Sequence, residues 1–347
     1  MRIAVDAMGG DRAPQVPVEG AIQALVGAQP DLEIVLVGPR EVVQRELKKH
    51  GRKGRNKRLS IVHASEAVGM NESPATALRK KKDASILVAT RLHKQGEVDA
   101  VVAAGHTGAA MAASLLTLGR LEGVSRPAIV APLPSENGVC NLLDVGANTG
   151  CKPQHLYQFA LMGSSYVSHV FGIDRPKVGL LSIGEEANKG NDLTLRTHDL
   201  LKASSLNYVG NVEGRDILKG TVDVVVCDGF VGNVLLKFAE SIWGFLSSNI
   251  RRAGNVTLSR RLGVLLFKPA LREFKKQLDS HEYGGAPLLG IDGVTIISHG
   301  SSSPVAIKNA IRVAERMVAA RVNHHIKQQL KRHPLADAGM DQTQEAM

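Results

Sequence analysis

The chain begins Met1-Arg-Ile-Ala-Val-Asp-Ala-Met-Gly-Gly-Asp-Arg-Ala-Pro14, a short apolar segment that runs directly into Gly9-Gly10. An apolar strand that ends in glycine before a helix is how open α/β folds bring backbone N–H groups close to an anion. The chain contains neither the Gly-x-Gly-x-x-Gly fingerprint of dinucleotide-binding folds nor a phosphate-binding loop that ends in Gly-Lys. The opening therefore indicates an anion-binding loop and argues against a dinucleotide or an ordinary nucleoside triphosphate as the ligand.

The composition indicates a soluble globular protein with an aliphatic core. Of the 347 residues, 44% are hydrophobic and 22% charged, but only 3% are aromatic. The core must therefore consist of Val, Ile, Leu and Ala, the residues that dominate buried parallel strands. The formal net charge of +10 favours a negatively charged partner, such as nucleic acid, an anionic membrane, an acidic protein or a phosphorylated small molecule.

The cysteines and the N-terminus suggest a cytoplasmic location. Cys140, Cys151 and Cys227 show no Cys-x-x-Cys spacing and no even-numbered framework, so we expect reduced thiols with no metal site and no disulfide. No secretory signal peptide follows Arg2, and no stretch approaches the roughly 18 uninterrupted apolar residues of a spanning helix. We expect a protein that is soluble or lies on a membrane surface.

Ten short β-rich segments alternate with helical patterns. They cover residues 2–7, 33–37, 59–63, 99–104, 128–131, 141–144, 177–183, 207–209, 223–227 and 294–298. This alternation predicts an α/β fold with a doubly wound, mainly parallel sheet in three layers, α/β/α. Ser73-Pro74 and Ser303-Pro304 resemble N-caps followed by proline, which predicts helices at about 74–94 and 304–332. We expect one α/β domain over residues 1–332 and a disordered tail over 333–347.

Two segments depart from the alternation. Lys48-Lys-His-Gly-Arg-Lys-Gly-Arg-Asn-Lys-Arg58 reads as a basic loop, and because it lacks aromatic residues on which bases could stack, we expect no nucleic-acid partner. Residues at about 236–283 are helical in pattern and are expected to protrude from the domain. Basic residues there accompany the apolar Trp243, Phe245, Leu265 and Phe267. This pattern fits a helix lying on a membrane and equally a helical pair packed against a second copy.

Several predicted strands end in loops that combine glycine with Asn, Ser, Thr or Lys. These loops are Gly105-His-Thr-Gly108, Val145-Gly-Ala-Asn148, Gly184-Glu-Glu-Ala-Asn-Lys-Gly-Asn191, Asp228-Gly-Phe-Val-Gly-Asn233 and His299-Gly-Ser-Ser-Ser303. Open α/β sheets bind ligands at the carboxyl edge of their strands. Glycine loops with free N–H groups and such side chains suit a phosphate.

Seven motifs together resemble one known family. They are Asp6-Ala-Met-Gly-Gly-Asp11, Gly105-x-Thr-Gly108, Leu143-Asp-Val-Gly-Ala-Asn148, Asn188-Lys-Gly-Asn191, Asp228-Gly-Phe-Val-Gly-Asn233, Tyr283-Gly-Gly-Ala286 and His299-Gly-Ser-Ser302. Their order resembles that of the bacterial phosphate acyltransferases of phospholipid synthesis, the acyl-acyl-carrier-protein:phosphate transacylases, over roughly residues 1–325. Two positions differ from the family pattern: His106 stands where the family usually has Asn, and Thr149-Gly150 stands where it has Val-Asp.

The resemblance implies both a fold and an activity. The implied fold is similar to the isocitrate/isopropylmalate dehydrogenase and phosphotransacetylase group. The implied reaction moves a long-chain fatty acyl group reversibly from acyl carrier protein, an acidic protein, to inorganic phosphate, without a cofactor. It also implies a homodimer in the cytoplasm that associates peripherally with the membrane and passes acyl phosphate to a membrane glycerol-3-phosphate acyltransferase.

The chemistry of the residues agrees with that activity. A thiol with a pKa of about 8.5 leaves readily as thiolate, and phosphate is already anionic at neutral pH, so the reaction needs positioning and oxyanion stabilisation more than strong acid–base groups. Cys227, within an apolar run, is expected to be a buried core thiol, so phosphate would attack the thioester directly. Lys189 is the first candidate for the cation, because it matches the motif lysine of the family.

The remaining candidate residues fall into four groups. The expected catalytic residues besides Lys189 are Asp228, Asn233 and His299. The expected phosphate or substrate contacts are Gly9, Gly10, Thr107, Gly108, Asn148, Gly184, Asn191, Gly229, Ser301 and Ser302. Asp6 and Asp11 are expected to organise the first loop, since ionised carboxylates repel phosphate. Trp243, Phe245, Leu265 and Phe267 are the expected membrane contacts.

Three alternatives stay open on the sequence. One is a short-chain phosphotransacetylase that uses acyl-CoA, another is a dehydrogenase of the related fold, and the third is a non-catalytic scaffold that binds carrier protein and membrane. The basic segments at 48–58, 79–82 and 251–261 are all candidates to meet an acidic carrier protein or an anionic lipid surface.

Overall fold

The structure of the protein is a computed structural model, which describes residues 1–254, 257–278 and 284–333. The strands are β1 (Arg2–Asp6), β2 (Glu33–Gly38), β3 (Leu59–His63), β4 (Ala100–Gly105), β5 (Ala128–Ser135), β6 (Gly138–Leu143), β7 (Lys177–Leu181), β8 (Asn207–Val212), β9 (Val224–Val226), β10 (Ala286–Leu289) and β11 (Thr295–His299). The helices are α1 (Gln15–Ala24), α2 (Arg40–Lys49), α3 (Gly51–Gly54), α4 (Pro74–Lys80), α5 (Ser85–Lys94), α6 (Thr107–Thr117), α7 (Pro153–Phe171), α8 (Asp192–Lys202), α9 (Gly214–Lys219), α10 (Gly229–Gly254), α11 (Leu258–Leu278), α12 (Pro304–Ala319) and α13 (Val322–Arg332).

The described strands form one 11-stranded sheet in the order β3-β2-β1-β4-β11-β10-β5-β6-β9-β7-β8. Two blocks of parallel strands make up most of it. The first block consists of β3, β2, β1, β4 and β11, and the second block of β6, β9, β7 and β8. The antiparallel strands β10 and β5 lie between them, so the two blocks run in opposite directions. The strands of the two blocks therefore end at opposite edges of the sheet, with β10 and β5 between the blocks.

Helices cover both faces of the sheet, which gives three layers. Side chains on alternate positions of a strand point to opposite faces. In β1, Ile3 and Val5 belong to a core cluster that includes residues of α1, α7, α12 and α13, whereas Ala4 belongs to a second cluster with α5 and α6. The predicted α/β/α architecture with a mainly parallel sheet is confirmed.

All ten predicted strands are present. The structure adds one strand that was not predicted and divides each of two predicted helices into two. β10 was not predicted; it contains Pro287, and proline normally argues against a central strand. The helix expected at 74–94 is two helices, α4 and α5, separated by residues 81–84. The helix expected at 304–332 is also two, because Arg321 adopts a left-handed conformation with φ 47° and ends the run.

The two segments outside the alternation are largely helical. The basic segment at 48–58, expected to be a loop, contains the end of α2 and all of α3. Residues 236–283 contain most of α10 and all of α11, and these two helices contact each other. Residues 334–347, most of the tail that the sequence predicts to be disordered, lie outside the described residues.

Candidate active site

Three strand-end loops of the first block pack backbone to backbone. They follow β1, β4 and β11, which are neighbours in the sheet. A Cβ on Gly9 would lie 2.1 Å from the carbonyl oxygen of Ala104, and the Asp11 N–H donates to the Gly300 carbonyl over 2.9 Å. Gly10 has a φ of 95°. Glycine at positions 9 and 10 therefore allows close approach of backbones, and this loop supports its neighbours.

The Asp6 side chain contacts the backbone of the first loop. Its carboxylate accepts a hydrogen bond from the Met8 N–H over 3.0 Å. The side chain is 6% exposed, and burial raises its pKa to about 6 in spite of hydrogen bonds from Ser85, Met8 and Gly9. Asp11 is exposed and contributes its backbone N–H to the contact with Gly300. The Asp6 side chain thus contacts the backbone of the first loop, whereas Asp11 contributes a backbone group, and their role as loop organisers stays a prediction.

A cavity of about 410 Å³ lies between the two blocks. From the first block come Thr107, Gly108, His299 and Ser302, and from the second come Val145, Gly146, Asn233 and Lys237. The rest of the described lining is largely apolar and consists of Met111, Ile129, Ala131, Pro132, Leu236, Gly285, Ala286, Ile297, Ser298 and Ala306. A few polar groups within a mostly apolar cleft are typical of a site for a small ligand or prosthetic arm.

Two helices begin beside this cavity. α6 starts at Thr107, and α12 starts at Pro304 behind the Ser303 side chain, which accepts a hydrogen bond from the Ala306 N–H. The first turns of helices carry unpaired N–H groups and the positive end of the helix dipole. The cavity is therefore electrostatically suited to an anion on its first-block side.

His299 lines the cavity and is held by Ser301. Its Nδ1 accepts hydrogen bonds from the Ser301 N–H over 3.2 Å and from the Ser301 hydroxyl over 2.7 Å. A neutral imidazole with an acceptor at Nδ1 carries its proton on Nε2. Ser301 thus fixes the tautomer of His299, and Ser302, 5% exposed, lies in the lining next to it.

On the second block, Asp144 holds the loop that follows β6. This side chain is fully buried. Its oxygens accept hydrogen bonds from the N–H groups of Ile129, Gly146, Ala147 and Asn148 and from the Asn148 side-chain amide, over 2.7 to 3.3 Å. Burial raises the pKa of Asp144, and the hydrogen bonds oppose that rise. Two cavity residues, Ile129 and Gly146, are held by this carboxylate.

The start of α10 packs tightly on the Asp144 loop. A Cβ on Gly232 would lie 1.9 Å from the Asp144 carbonyl oxygen, and one on Gly229 would lie 2.6 Å from that of Asn148. This packing places Asn233, which follows Gly232 in the sequence, beside Gly146 and in the cavity wall. Lys237 follows one turn later on the same helix face and pairs with Glu240 over 2.7 Å.

The structure brings five of the predicted site residues into the cavity: Thr107, Gly108, Asn233, His299 and Ser302. The others lie outside its described lining. Asp228 accepts hydrogen bonds from the Phe230 and Val231 N–H groups and so caps α10, while Asn191 caps α8 through the Thr194 N–H. Asn148 is buried and donates to Asp144 and to the Pro127 carbonyl.

Lys189 lies on the exposed loop after β7 rather than in the described cavity wall. Its carbonyl accepts a hydrogen bond from the Ser182 hydroxyl over 3.0 Å, and its side chain packs near Gly184. In the sheet, β7 is separated from β6 by β9 alone, so the Lys189 loop lies at the same edge as Asn233. The lysine that already lines the cavity is Lys237.

Sequence reasoning missed Lys237, Asp144 and Ser298. Lys237 could have been found, because it lies four residues after Asn233 in a helical pattern. Asp144 stands inside the Leu143-Asp-Val-Gly-Ala-Asn148 motif, but its burial was not readable from the motif. Ser298 is 3% exposed, lines the cavity and has no hydrogen-bond partner for its hydroxyl among the described residues.

The cysteines are poor nucleophiles in this structure. Burial raises the pKa of Cys140 to about 12 and that of Cys151 to about 11, and it raises the pKa of Cys227 well above its usual value. Thiols act as nucleophiles only when ionised. Over the described ranges, no group of His, Cys, Asp and Glu side chains is arranged to hold a metal ion.

The expected membrane contacts lie on α10 and α11. Phe245 is 69% exposed, Leu265 60% and Phe267 62%. Trp243 belongs to α10, and its side chain lies outside the described residues. Within the part of the chain that the structure covers, no helix is long and apolar enough to cross a membrane.

A family model described as fatty acid synthesis protein matches residues 1–325. The phosphate acyltransferase of Pelotomaculum thermopropionicum is 49% identical over 99% of both chains, and that of Desulfitobacterium hafniense is 53% identical over 97% of this chain and 99% of its own. This chain belongs to the phosphate acyltransferase family. It is accordingly an acyltransferase of lipid biosynthesis, and the dehydrogenase alternative is wrong.

Solved structures support the fold assignment for this phosphate acyltransferase. A phosphotransacetylase from Streptococcus pyogenes superposes with a TM-score of 0.55 over 95% of this chain and 94% of its own, at 17% identity. A branched-chain phosphotransacylase from Enterococcus faecalis gives 0.58 over 92% and 99%, at 16% identity. The predicted similarity to the phosphotransacetylase group is confirmed for the fold.

Proposed function

We propose that this phosphate acyltransferase moves a long-chain acyl group from the thioester of acyl carrier protein to inorganic phosphate, giving acyl phosphate and the free carrier thiol. The observation that carries the proposal is the composition of the cavity. The lining combines His299, Asn233 and Lys237 with apolar side chains, and two helices begin beside it, in a member of this family. A phosphate and an acyl thioester need these two kinds of surface side by side.

The proposed step is direct. A phosphate oxygen bonds to the thioester carbonyl carbon, the carbon–sulfur bond breaks, and the electron pair leaves with sulfur as thiolate. The N-termini of α6 and α12 hold the phosphate, while the amide of Asn233 and Nε2–H of His299 donate to phosphate or to the developing oxyanion. The raised pKa values of the three cysteines support a route without an acyl-cysteine intermediate.

Two lysines are proposed for the cation of the site. Lys189 is the motif lysine on the loop after β7, and Lys237 lines the cavity. We expect Lys189→Met and Lys237→Met both to raise the phosphate KM, and the residue that contacts the transition state to lower kcat as well. Lys202→Met, a lysine of α8 outside the cavity lining, is the control and should leave both constants unchanged.

The proposed partners extend to a second copy and the membrane. Phe230, Val234 and Phe238 form an exposed apolar stripe along α10, which supports a homodimer contact. The exposed apolar side chains of Leu262, Leu265, Leu266 and Phe267 on α11 support peripheral membrane association and transfer of product to a membrane glycerol-3-phosphate acyltransferase. Leu265→Glu combined with Trp243→Ala should weaken binding to anionic vesicles; unchanged binding would rule out this membrane surface.

One assay separates the proposed function from its alternatives. Acyl phosphate formation is measured with palmitoyl carrier protein and with acetyl-CoA, each at varied phosphate. We expect efficient turnover of palmitoyl carrier protein alone. Preference for acetyl-CoA would identify a short-chain phosphotransacetylase, and binding of carrier protein without turnover would identify a scaffold.

A further inference from the structure

We propose that Arg79, Lys80 and Lys82 form the docking surface for the acidic protein that carries the acyl thioester. These three residues are called the α4 patch below. The inference rests on the proposed function, since it names where the partner of that reaction binds. It also distinguishes the basic segment at 79–82 from the one at 48–58, which the sequence alone cannot rank.

The segment that carries the α4 patch packs on the first-block loops of the cavity. A Cβ on Gly108 would lie 3.0 Å from the Pro74 ring, and one on Gly300 would lie 3.0 Å from the end of Met70. The His106 Nε2–H donates to the Glu72 carbonyl over 3.0 Å. Because Gly108 lines the cavity, α4 begins at the cavity and carries its basic end about 10 Å away along the helix.

The charges of the α4 patch are free to meet a partner. Arg79, Lys80 and Lys82 are exposed, and the structure gives them no ion-pair partner among the described residues. The neighbouring Lys81 is used internally: its ammonium group pairs with Glu72 over 2.5 Å and donates to the Ala67 carbonyl over 2.8 Å. Lys81 thus fixes the segment, while its neighbours present charge to solvent.

The basic segment at 48–58 lies at the opposite edge of the sheet. The Ile34 N–H donates to the Arg58 carbonyl over 2.8 Å, and the Arg58 guanidinium donates to the carbonyls of Leu25 and Gln29. These contacts place the segment where β2 and β3 begin. The first-block loops of the cavity lie where strands of the same parallel block end, and β3 and β2 are the two outermost strands of that block, so a carrier bound at 48–58 would hold its thioester away from these loops.

The chemistry of the α4 patch fits a protein better than a lipid surface. A carrier must bind beside the cavity, because its thioester has to enter there. Met70, 47% exposed, adds one apolar contact beside the cations. The large apolar side chains that would enter a bilayer lie instead on α11, where Leu265 is 60% and Leu266 74% exposed.

The test compares charge reversal at the two basic segments. Arg79→Glu/Lys82→Glu is matched by Arg52→Glu/Lys53→Glu on α3, which changes the net charge equally at the opposite edge. We expect the first variant to raise the KM for palmitoyl carrier protein by about 10-fold or more at low salt, with kcat little changed. The matched variant should stay within about 2-fold of wild type, and added salt should shrink the difference between them.

A second substrate keeps the test independent of folding. Palmitoyl-pantetheine carries the thioester without the acidic protein, so all variants should turn it over like wild type. An unchanged KM for carrier protein in Arg79→Glu/Lys82→Glu, or an equal rise in both variants, would overturn the inference. So would a loss of binding to anionic vesicles with no change in that KM, which would assign the α4 patch to lipid. Absence of wild-type turnover would instead refute the proposed function.

Discussion

Replacing Asp144 by alanine tests whether one buried carboxylate organises the second-block side of the site. The change removes the acceptor of three buried donors: the N–H groups of Ile129 and Asn148 and the Asn148 side-chain amide. Each buried donor left without a partner costs about 1–3 kcal/mol. Burial raises the pKa of the Asp144 carboxyl, which shows that the buried charge is itself unfavourable, so removing that charge offsets part of the cost. We therefore expect Asp144→Ala to lower the free energy of unfolding by about 3–5 kcal/mol.

The assay is urea unfolding followed by circular dichroism. Asp99→Ala is the control, because Asp99 also accepts a backbone hydrogen bond, from the Arg2 N–H over 2.7 Å, but is exposed, so that water can replace it. That variant should lose less than about 1 kcal/mol. Asp144→Asn keeps one acceptor oxygen and should fall between the two. An Asp144→Ala protein as stable as Asp99→Ala would refute the reasoning.

Three further predictions concern Asp6, the packing of α10, and Cys227. Burial moves the pKa of Asp6 from 3.8 to about 6, so the native state binds this proton more tightly than the unfolded chain does. Relative to Asp6→Asn, the free energy of unfolding of the wild type, measured in urea, should therefore rise by up to about 3 kcal/mol as the pH falls from 7 to 4. Parallel pH curves for the two proteins would contradict this. Gly232→Ala, whose Cβ would meet the Asp144 carbonyl, should lower the free energy of unfolding by about 2–3 kcal/mol and lower kcat. Gly244→Ala on the same helix has no described atom within 4 Å of its Cβ and should raise the free energy of unfolding by up to about 1 kcal/mol. Equal thermal shifts in the two variants would contradict the close packing at Gly232. Cys227→Ala should retain turnover in the acyl phosphate assay, since its thiol is not ionised; lost turnover in a folded variant would point to an acyl-cysteine.

The fold was readable from the sequence because its signals are local. Apolar runs bounded by glycine marked ten strands, and Ser-Pro pairs marked the starts of α4 and α12. β10 was not readable, because it contains Pro287 and is held as a strand by β11 and β5 on either side. The break at Arg321 is equally non-local, since nothing in its neighbours predicts a left-handed arginine.

The candidate site was readable only in part, for a related reason. Loops at strand ends identified Thr107, Gly108, Asn233, His299 and Ser302, which line the cavity. Sequence motifs do not say which strands run in opposite directions, so they could not show that loops of two opposed blocks enclose one cavity. They also could not separate residues that cap helices, such as Asp228 and Asn191, from residues that face a ligand.

The central claim is that phosphate itself attacks the carrier thioester. The most direct measurement follows release of free carrier protein from its palmitoyl form at varied phosphate, together with the acyl phosphate formed. We predict release that depends on phosphate, with one acyl phosphate formed per carrier released. Release that proceeds without phosphate and yields free fatty acid would show hydrolysis instead and would contradict the account.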